Sequence, residues 1–291
     1  MRVLSFGLLI APLWVAGAYA DTLLGTAGNF AVLGGSTVTN TGPSVINGNL
    51  GVSPGTAVTG FPPGVVTPPA TIYQGGAVPL QAESDLTTAY NTLFGLSSTT
   101  NLTGVNLGGQ ILNSGVYKFN SSAQLTGTLT LNAQGMANQF WVFQINSALT
   151  TATSSAVNII NAGANEGVFW VIGSSATLGT GTSFEGNVVA LTSISLDTGA
   201  TIACGSALAR NGAVTLDDND VNTGCSTSAA GLSGFVSNNS GGLSPTGGGG
   251  GNPVPEPHDL IVPLGFCIVG LALQARRKRA RAGSSKDLAA I

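Results

Sequence analysis

Histidine and basic residues are nearly absent from the body of this chain. The only histidine is His258, and between residues 21 and 252 the only basic residues are Lys118 and Arg210, against nine acidic residues. This excludes His-ligated metal sites and Ser-His or Cys-His nucleophiles there. It also excludes a basic face for nucleic acid. We therefore expect a protein without catalysis or cofactor and without nucleic acid as a partner.

Charge of either sign is scarce in the whole chain. Charged residues make up 7% of it and the mean hydropathy is +0.35, which is too apolar for a disordered protein. The 43 glycines follow no Gly-X-Y period, so a collagen-like fibre is excluded. For 291 residues we expect one folded domain with tails.

The first 20 residues read as a secretory signal peptide. Arg2 precedes an apolar run at residues 3–15, and Ala18-Tyr19-Ala20 fits a signal peptidase site. An N-terminal membrane anchor is the alternative, but it needs about 20 apolar residues. We expect cleavage after Ala20 and export to the cell surface or the medium.

The C-terminal third ends in a second targeting pattern. Residues 226–252 form a Gly/Ser-rich linker. Residues 253–291 then contain Pro255-Glu256-Pro257, an apolar segment at 260–275 and a basic cluster. Together these resemble the PEP-CTERM sorting signal, which implies transient residence in the inner membrane and processing by an exosortase-type protease. A plain C-terminal membrane anchor is the alternative reading.

The body between these ends repeats itself. Phe140-Trp141-Val142-Phe143 matches Phe169-Trp170-Val171-Ile172 at an offset of 29, and further matches follow at offsets of 18 and 20. Short apolar runs between Gly, Asn and Thr turns at such a period indicate a β-solenoid. Strands are predicted near residues 128–131, 140–145, 157–160, 167–172, 187–191 and 213–216. Helical spacing of apolar residues predicts one helix over 80–96.

Several motifs of residues 21–225 resemble the ice-binding-like family known as DUF3494. The motifs are Phe30-Ala31-Val32-Leu33, Thr39-Asn40-Thr41-Gly42, Gly48-Asn49-Leu50-Gly51-Val52-Ser53-Pro54-Gly55, Asp85-Leu86 with Ala89-Tyr90, Gly115-Val116-Tyr117, Phe140-Trp141-Val142-Phe143 and Ala209-Arg210-Asn211-Gly212-Ala213-Val214-Thr215-Leu216. The resemblance implies a mainly β fold, a discontinuous triangular β-solenoid with one long helix packed alongside. It also implies ice binding by a monomer, with the ice crystal surface as partner.

A recurring Thr-Ala/Gly-x-Thr/Ser pattern supplies the candidate ice-contacting residues. The repeat offsets predict one row of Thr151, Thr180 and Thr198 and a second row of Ser154, Ser183 and Thr201, extended by Thr56 and Thr59. Threonine rows spaced by the interstrand distance of about 4.8 Å would form a flat, weakly solvated surface. Alternatively, these are ordinary turn and strand residues of a solenoid. The same fold could instead serve as a structural or adhesive component of the extracellular matrix.

Cys204 and Cys225 are the only cysteines of the exported body, and an oxidising compartment favours their pairing. We expect a disulfide that stabilises the body by about 3 kcal/mol, since it closes a loop of roughly 20 residues. Thiol labelling of denatured, non-reduced protein checks this. Labelling of both cysteines would reject the pair.

We expect the tail to contribute nothing to the folded body, because a Gly-rich linker precedes it. Deleting residues 253–291 should leave the melting temperature of the purified body unchanged in a calorimetric scan. A drop of several degrees would show that the tail packs against the body.

Overall fold

The computed structural model describes residues 23–224, 235–237 and 243–245. The predicted signal peptide, Cys225, most of the predicted linker and the predicted sorting tail lie outside these residues. In the described part, no helix has both the length and the apolar character that a bilayer crossing requires.

The described chain consists of many short strands, one α-helix, α1 (Ala77–Phe94), and one 3₁₀ helix (Gly25–Asn29). In chain order, the strands are β1 (Phe30–Gly34), β2 (Thr37–Thr41), β3 (Val45–Asn47), β4 (Asn49–Val52), β5 (Ala57–Thr59), β6 (Val65–Val66), β7 (Ile72–Gln74), β8 (Thr100–Asn101), β9 (Ile111–Asn113), β10 (Gly115–Phe119), β11 (Ala123–Leu125), β12 (Thr128–Asn132), β13 (Phe140–Ile145), β14 (Leu149–Thr151), β15 (Ala156–Ile160), β16 (Gly167–Ile172), β17 (Ala176–Leu178), β18 (Ser183–Glu185), β19 (Asn187–Ala190), β20 (Ile194–Leu196), β21 (Thr201–Ala203), β22 (Ala207–Ala209), β23 (Val214–Asp217), β24 (Asp220–Asn222), β25 (Phe235–Ser237) and β26 (Leu243–Pro245).

Strands β1 to β24 form three parallel sheets around one core, which confirms the predicted β-solenoid. Sheet A has the order β7-β4-β1-β22-β19-β16-β13-β10-β8, sheet B has the order β11-β14-β17-β20-β23-β2-β5, and sheet C has the order β6-β3-β24-β21-β18-β15-β12-β9. Seven coils each contribute one strand to sheets A, B and C in turn, whereas β7 stands alone before α1 and the coil of β8 and β9 has no strand in sheet B. In the segment predicted as a linker, β25 and β26 pair antiparallel.

The solenoid is discontinuous, as predicted. The N-terminal strands β1, β2 and β3 pair directly with β22, β23 and β24, the last strands of the parallel sheets. Helix α1 connects β7 at one edge of sheet A with β8 at the other edge. Its 18 residues cover about 27 Å, and eight interstrand spacings cover roughly 38 Å. The helix therefore runs along most of the sheet, and short connections complete the distance.

Sheet A is buried on both faces, which explains the uninterrupted apolar sequences of β13 and β16. Trp141 and Phe143 point into the solenoid, whereas Val142 packs with the helix residues. Gln144 lies on the helix side, and its Nε2 donates 2.8 Å hydrogen bonds to the carbonyls of Leu93 and Leu96. The sheet thus satisfies carbonyl groups at the helix C-terminus that have no partner inside the helix.

Aromatic side chains stack along the interior of the solenoid. Tyr117, Phe143 and Trp170 occupy paired positions in β10, β13 and β16. The ring centroids of Tyr117 and Phe143 are 5.5 Å apart, and those of Phe143 and Trp170 are 4.0 Å apart. Phe184 continues the contact at 4.8 Å from Trp170. Parallel in-register pairing therefore converts a repeated aromatic position into a continuous stack.

The repeat offset of 29 is wrong by two residues. Phe140 pairs with Gly167 and Phe143 with Trp170, which is an offset of 27. A slip of two residues along a strand keeps every side chain on the same face of the sheet. The apolar patterns of β13 and β16 therefore match in either register. The offset of 18 between later coils is confirmed, since Leu178 pairs with Leu196.

Helix α1 buries one carboxylic acid against sheet A. Glu83 is 8% exposed, and in the described part of the chain neither of its carboxylate oxygens has a hydrogen-bond partner. Burial raises the pKa of Glu83 to about 8, although the nearby positive charge of Arg210 acts to lower it. Arg210 itself donates hydrogen bonds to Thr87 and lies over the ring of Tyr90 at 4.6 Å.

We expect Glu83→Gln to stabilise the protein at pH 8 but not at pH 4. A raised pKa means that the protonated carboxyl favours folding below the ordinary value of 4.5, and that this contribution is lost as the pH rises toward 8. The gain in unfolding free energy at pH 8 should exceed about 1 kcal/mol. Thermal melts of both proteins across this range measure it.

Asp218→Asn is the control for the change in net charge, since Asp218 is exposed. It should shift the melting temperature much less than Glu83→Gln does at pH 8. An equal effect of the two variants would mean that net charge, rather than burial of Glu83, governs the pH dependence.

Candidate functional site: the outer face of sheet B

One row of small polar side chains crosses the whole outer face of sheet B. The strands β11, β14, β17, β20, β23, β2 and β5 pair in register, so one outward position of each strand follows that of the next at the interstrand spacing of about 4.8 Å. We call this the central row: Gln124, Thr150, Thr177, Ser195, Thr215, Thr39 and Thr59. Five of its seven members are threonines.

The side chains of the central row point outward, and their neighbours along the strands point into the core. In β14, β17 and β20 the middle residue is exposed or half-buried, between residues that are buried. This alternation is the period of two that a strand imposes on its side chains. Within the row, Thr39 and Thr215 approach each other, with 3.5 Å between their hydroxyl oxygens.

A second row of small residues fixes the backbone beside the central row. The N–H of Ala148 donates to the hydroxyl of Ser122 at 3.4 Å, and the N–H of Ser193 donates to that of Ser175 at 3.4 Å. The N–H of Ala213 donates in the same way to Ser193 at 3.3 Å. Each hydroxyl thus ties its coil to the next coil. Because these side chains are short, they do not cover the threonine side chains of the central row.

The other two sheets do not offer a comparable surface. The outward side chains of sheet A pack with helix α1. Sheet C mixes sizes and charges: one outward row contains Ile111, Thr130, Asn158 and Glu185, and Asp220 lies in the adjacent row. Burial raises the pKa of Glu185 to about 7, so its charge changes near neutrality. The central row of sheet B carries no charged side chain.

Thr151 is not a surface residue. It is 3% exposed, and its hydroxyl lies 2.7 Å from that of Thr182 and accepts a hydrogen bond from the N–H of Gly179. The two-residue error in the repeat offset is the cause, because Thr150 pairs with Thr177 and Thr151 is therefore level with Leu178. The predicted row of Thr151, Thr180 and Thr198 is wrong at its first member.

Thr180, Thr198 and Ser154 are exposed, but they lie in the corners between sheets B and C. Thr180 and Thr198 occupy neighbouring coils, since the N–H of Gly181 donates to the carbonyl of Thr198. Ser154 has a φ of 56° and donates its N–H to the carbonyl of Thr180. A turn of this kind interrupts the strand, so these side chains do not continue the central row.

The remaining predicted residues divide between two sheets. Ser183 and Thr201 pair on sheet C, as the second predicted row requires, but Ala156 rather than Ser154 precedes them there. Thr56 is exposed just before β5. Thr59 lies in β5 and is the one predicted residue that belongs to the central row. The structure therefore does not bring the eight predicted residues together.

The sequence signal that identifies the central row is a tripeptide with a polar middle residue between apolar ones. It occurs as Ala176-Thr177-Leu178, Ile194-Ser195-Leu196 and Val214-Thr215-Leu216. Two copies of the Thr-Ala/Gly-x-Thr/Ser pattern begin at Thr180 and Thr198, three residues after Thr177 and Ser195, where the coil turns from sheet B to sheet C.

This surface is suited to contact with a solid or with ordered water rather than to chemistry. The central row has hydroxyls and methyl groups, most of them on stiff β-branched side chains, and contains no carboxylate, thiol or imidazole. In the part of the chain that the structure describes, no three His, Cys, Asp or Glu side chains are placed to hold a metal ion. The predicted disulfide stays a prediction, because Cys225 is outside that part. Cys204 Sγ lies 3.9 Å from the carbonyl of Gly224, the residue before Cys225.

Known proteins match both the sequence and the fold. The family profile described as "Ice-binding-like" matches residues 32–222. An "Ice-binding protein" of Nostoc sp. (strain HG1) is 51% identical over 268 residues, 92% of this chain and 91% of its own length. One from Colwellia sp is 34% identical, covering 71% of this chain and 85% of its own. A crystal structure of an ice-binding protein from Antarctomyces psychrotrophicus has a TM-score of 0.66 and 42% identity, covering 71% of this chain and 100% of that one. This chain belongs to the ice-binding-like family.

Proposed function

We propose that this protein binds ice, and that the outer face of sheet B is the surface that adsorbs to the crystal. The observation that carries the proposal is the central row itself, which spans all seven strands of that sheet without a charge. The relatives at 51% and 34% identity are both named ice-binding proteins. These relatives favour ice binding over the structural or adhesive role that the same fold could serve.

The adsorption follows from the way threonine presents its two substituents. The hydroxyl can hydrogen-bond to water molecules of the ice lattice. The methyl group is apolar, so it makes the face less strongly hydrated by liquid water. A stiff χ1 and a strand backbone keep these groups in one plane. Because each contact is weak, many must act at once, and the regular spacing of the row makes this possible. No cofactor or catalytic step is required.

The ends of the chain support export of this activity. We propose that residues 1–20 direct secretion and that the tail from 253 onward is held in the inner membrane until an exosortase-type protease processes it. The support is the A-x-A ending of the first segment, the Pro255-Glu256-Pro257 box, the apolar segment and the basic cluster. The mature protein would then act as a monomer outside the cell or on its surface.

We expect Thr215→Tyr to remove most of the ice activity. Thr215 is exposed, and its neighbours in the central row are Ser195 and Thr39. A bulky ring there lifts the surrounding side chains off the crystal. The protein concentration needed to slow ice recrystallisation should rise about tenfold, equal to roughly 1.4 kcal/mol of binding free energy. The melting temperature should hardly change, since exposed substitutions cost within about 0.5 kcal/mol.

Thr128→Tyr is the matched control, since Thr128 is an exposed threonine on sheet C. It should keep full activity. Thr180→Tyr tests the corner predicted from sequence alone and should lower the activity much less than Thr215→Tyr. Full activity of the Thr215 variant, or equal losses in the Thr128 variant, would assign ice contact to a different face.

A further inference from the structure

Two adjoining cavities lie away from sheet B, beside the N-terminal coils. The larger, about 570 Å³, is lined by loops that include Asn47, Thr67, Asn222 and Thr223. The smaller, about 400 Å³, lies between the start of helix α1 and Tyr73 of β7. Asn29 and Asn49 line both, so the two cavities form one groove. Both are open to solvent rather than enclosed, so a ligand would lie along the groove.

The lining of this groove combines apolar residues, among them Phe30, Pro68 and Val78, with uncharged polar ones. It contains four asparagines, one glutamine, three threonines and one tyrosine, and no Lys, Arg, His, Asp or Glu. Phosphates, carboxylates and organic cations would find no opposite charge there. The groove therefore suits a neutral ligand with many hydrogen-bonding groups.

Internal hydrogen bonds fix which atoms the groove offers as acceptors. Asn47 donates its Nδ2 to Asp220 at 3.4 Å, and Gln81 donates its Nε2 to Asp85 at 2.8 Å. Each amide is thereby oriented with its carbonyl oxygen left as an acceptor. Thr26 donates its hydroxyl proton to Asp85 at 2.6 Å, so its oxygen also remains an acceptor. Neither carboxylate lines the groove itself.

Other internal hydrogen bonds fix the donors. The Oδ1 of Asn49 accepts from the N–H of Thr71 at 3.0 Å, and the Oδ1 of Asn222 accepts from the N–H of Gly224 at 2.8 Å. Their Nδ2 groups are left to donate. Acceptors and donors are thus both present in one groove, in orientations set by the protein itself. A chain of hydroxyl groups, each both donor and acceptor, matches such an arrangement.

One aromatic ring completes the groove. Tyr73 is half-buried, and its ring is held by Phe30 at a centroid distance of 5.8 Å and an interplanar angle of 57°. A fixed ring with an accessible face packs against the apolar C–H face of a sugar, while the hydroxyl groups around that face meet the amides. From the uncharged lining, the oriented amides and this ring, we propose that the groove binds a neutral oligosaccharide chain.

The test measures binding of the full chain to neutral glucan, mannan and galactan hexasaccharides by titration calorimetry. At least one should bind with a dissociation constant of about 1 mM or tighter. Asn29→Ala and Tyr73→Ala should each weaken that binding about tenfold or more. Asn29 is exposed at the end of the 3₁₀ helix, so its removal leaves the fold intact even if that of Tyr73 does not.

Asn158→Ala is the matched control, because Asn158 is an exposed asparagine on sheet C, outside the groove. It should bind as the wild type does. The Asn29 variant should keep its ice activity, and Thr215→Tyr should keep its sugar affinity, because the two surfaces share no residue. No binding to any probe at about 10 mM, or unchanged affinity in the Asn29 variant, overturns the proposal.

Discussion

Parallel, in-register pairing between neighbouring coils is the constraint on which the rest of this structure depends. It places one position of every coil in a single line on each sheet, at the spacing that backbone hydrogen bonds impose. Inside the solenoid this produces the stack of Tyr117, Phe143 and Trp170. Outside, on sheet B, it produces the central row. The core and the proposed ice-binding surface are therefore two consequences of one register.

The position of the first coil in the solenoid follows from the same pairing. Strands β1 to β3 pair with β22 to β24, so the central row is completed only when Thr39 lies against Thr215, 176 residues later in the chain. Helix α1 must then run along sheet A to reach its far edge, and it covers that sheet. The outer faces of sheets B and C therefore stay uncovered. Sheet C carries acidic and aliphatic side chains of different sizes, so the more regular of the two faces is that of sheet B.

The proposed ice-binding face and the amide-lined groove use different parts of the same scaffold. The face depends on repetition, because a crystal presents the same contact many times. The groove depends on irregularity: its residues come from the 3₁₀ helix, β4, β7, the loops after β3 and β6, the start of α1 and the end of β24. The carboxylates of Asp85 and Asp220, two of the few charges in the body, orient two of its amides.

The sequence by itself determined the fold class, the single helix, the bounds of the apolar strands and the scarcity of charge. These properties follow from local periodicity and composition, and β13 and β16 lie at the positions predicted for them. Only the tertiary structure decided which threonines share a face. A slip of two residues preserves the alternation of inward and outward side chains, so the apolar pattern could not separate an offset of 27 from one of 29. For the same reason the sequence predicts Thr151 on the surface, whereas the observed register places it level with Leu178, on the buried side of β14. The groove could not be predicted from the sequence either, because Asn29 and Asn222 come together only through the pairing of the first coils with the last.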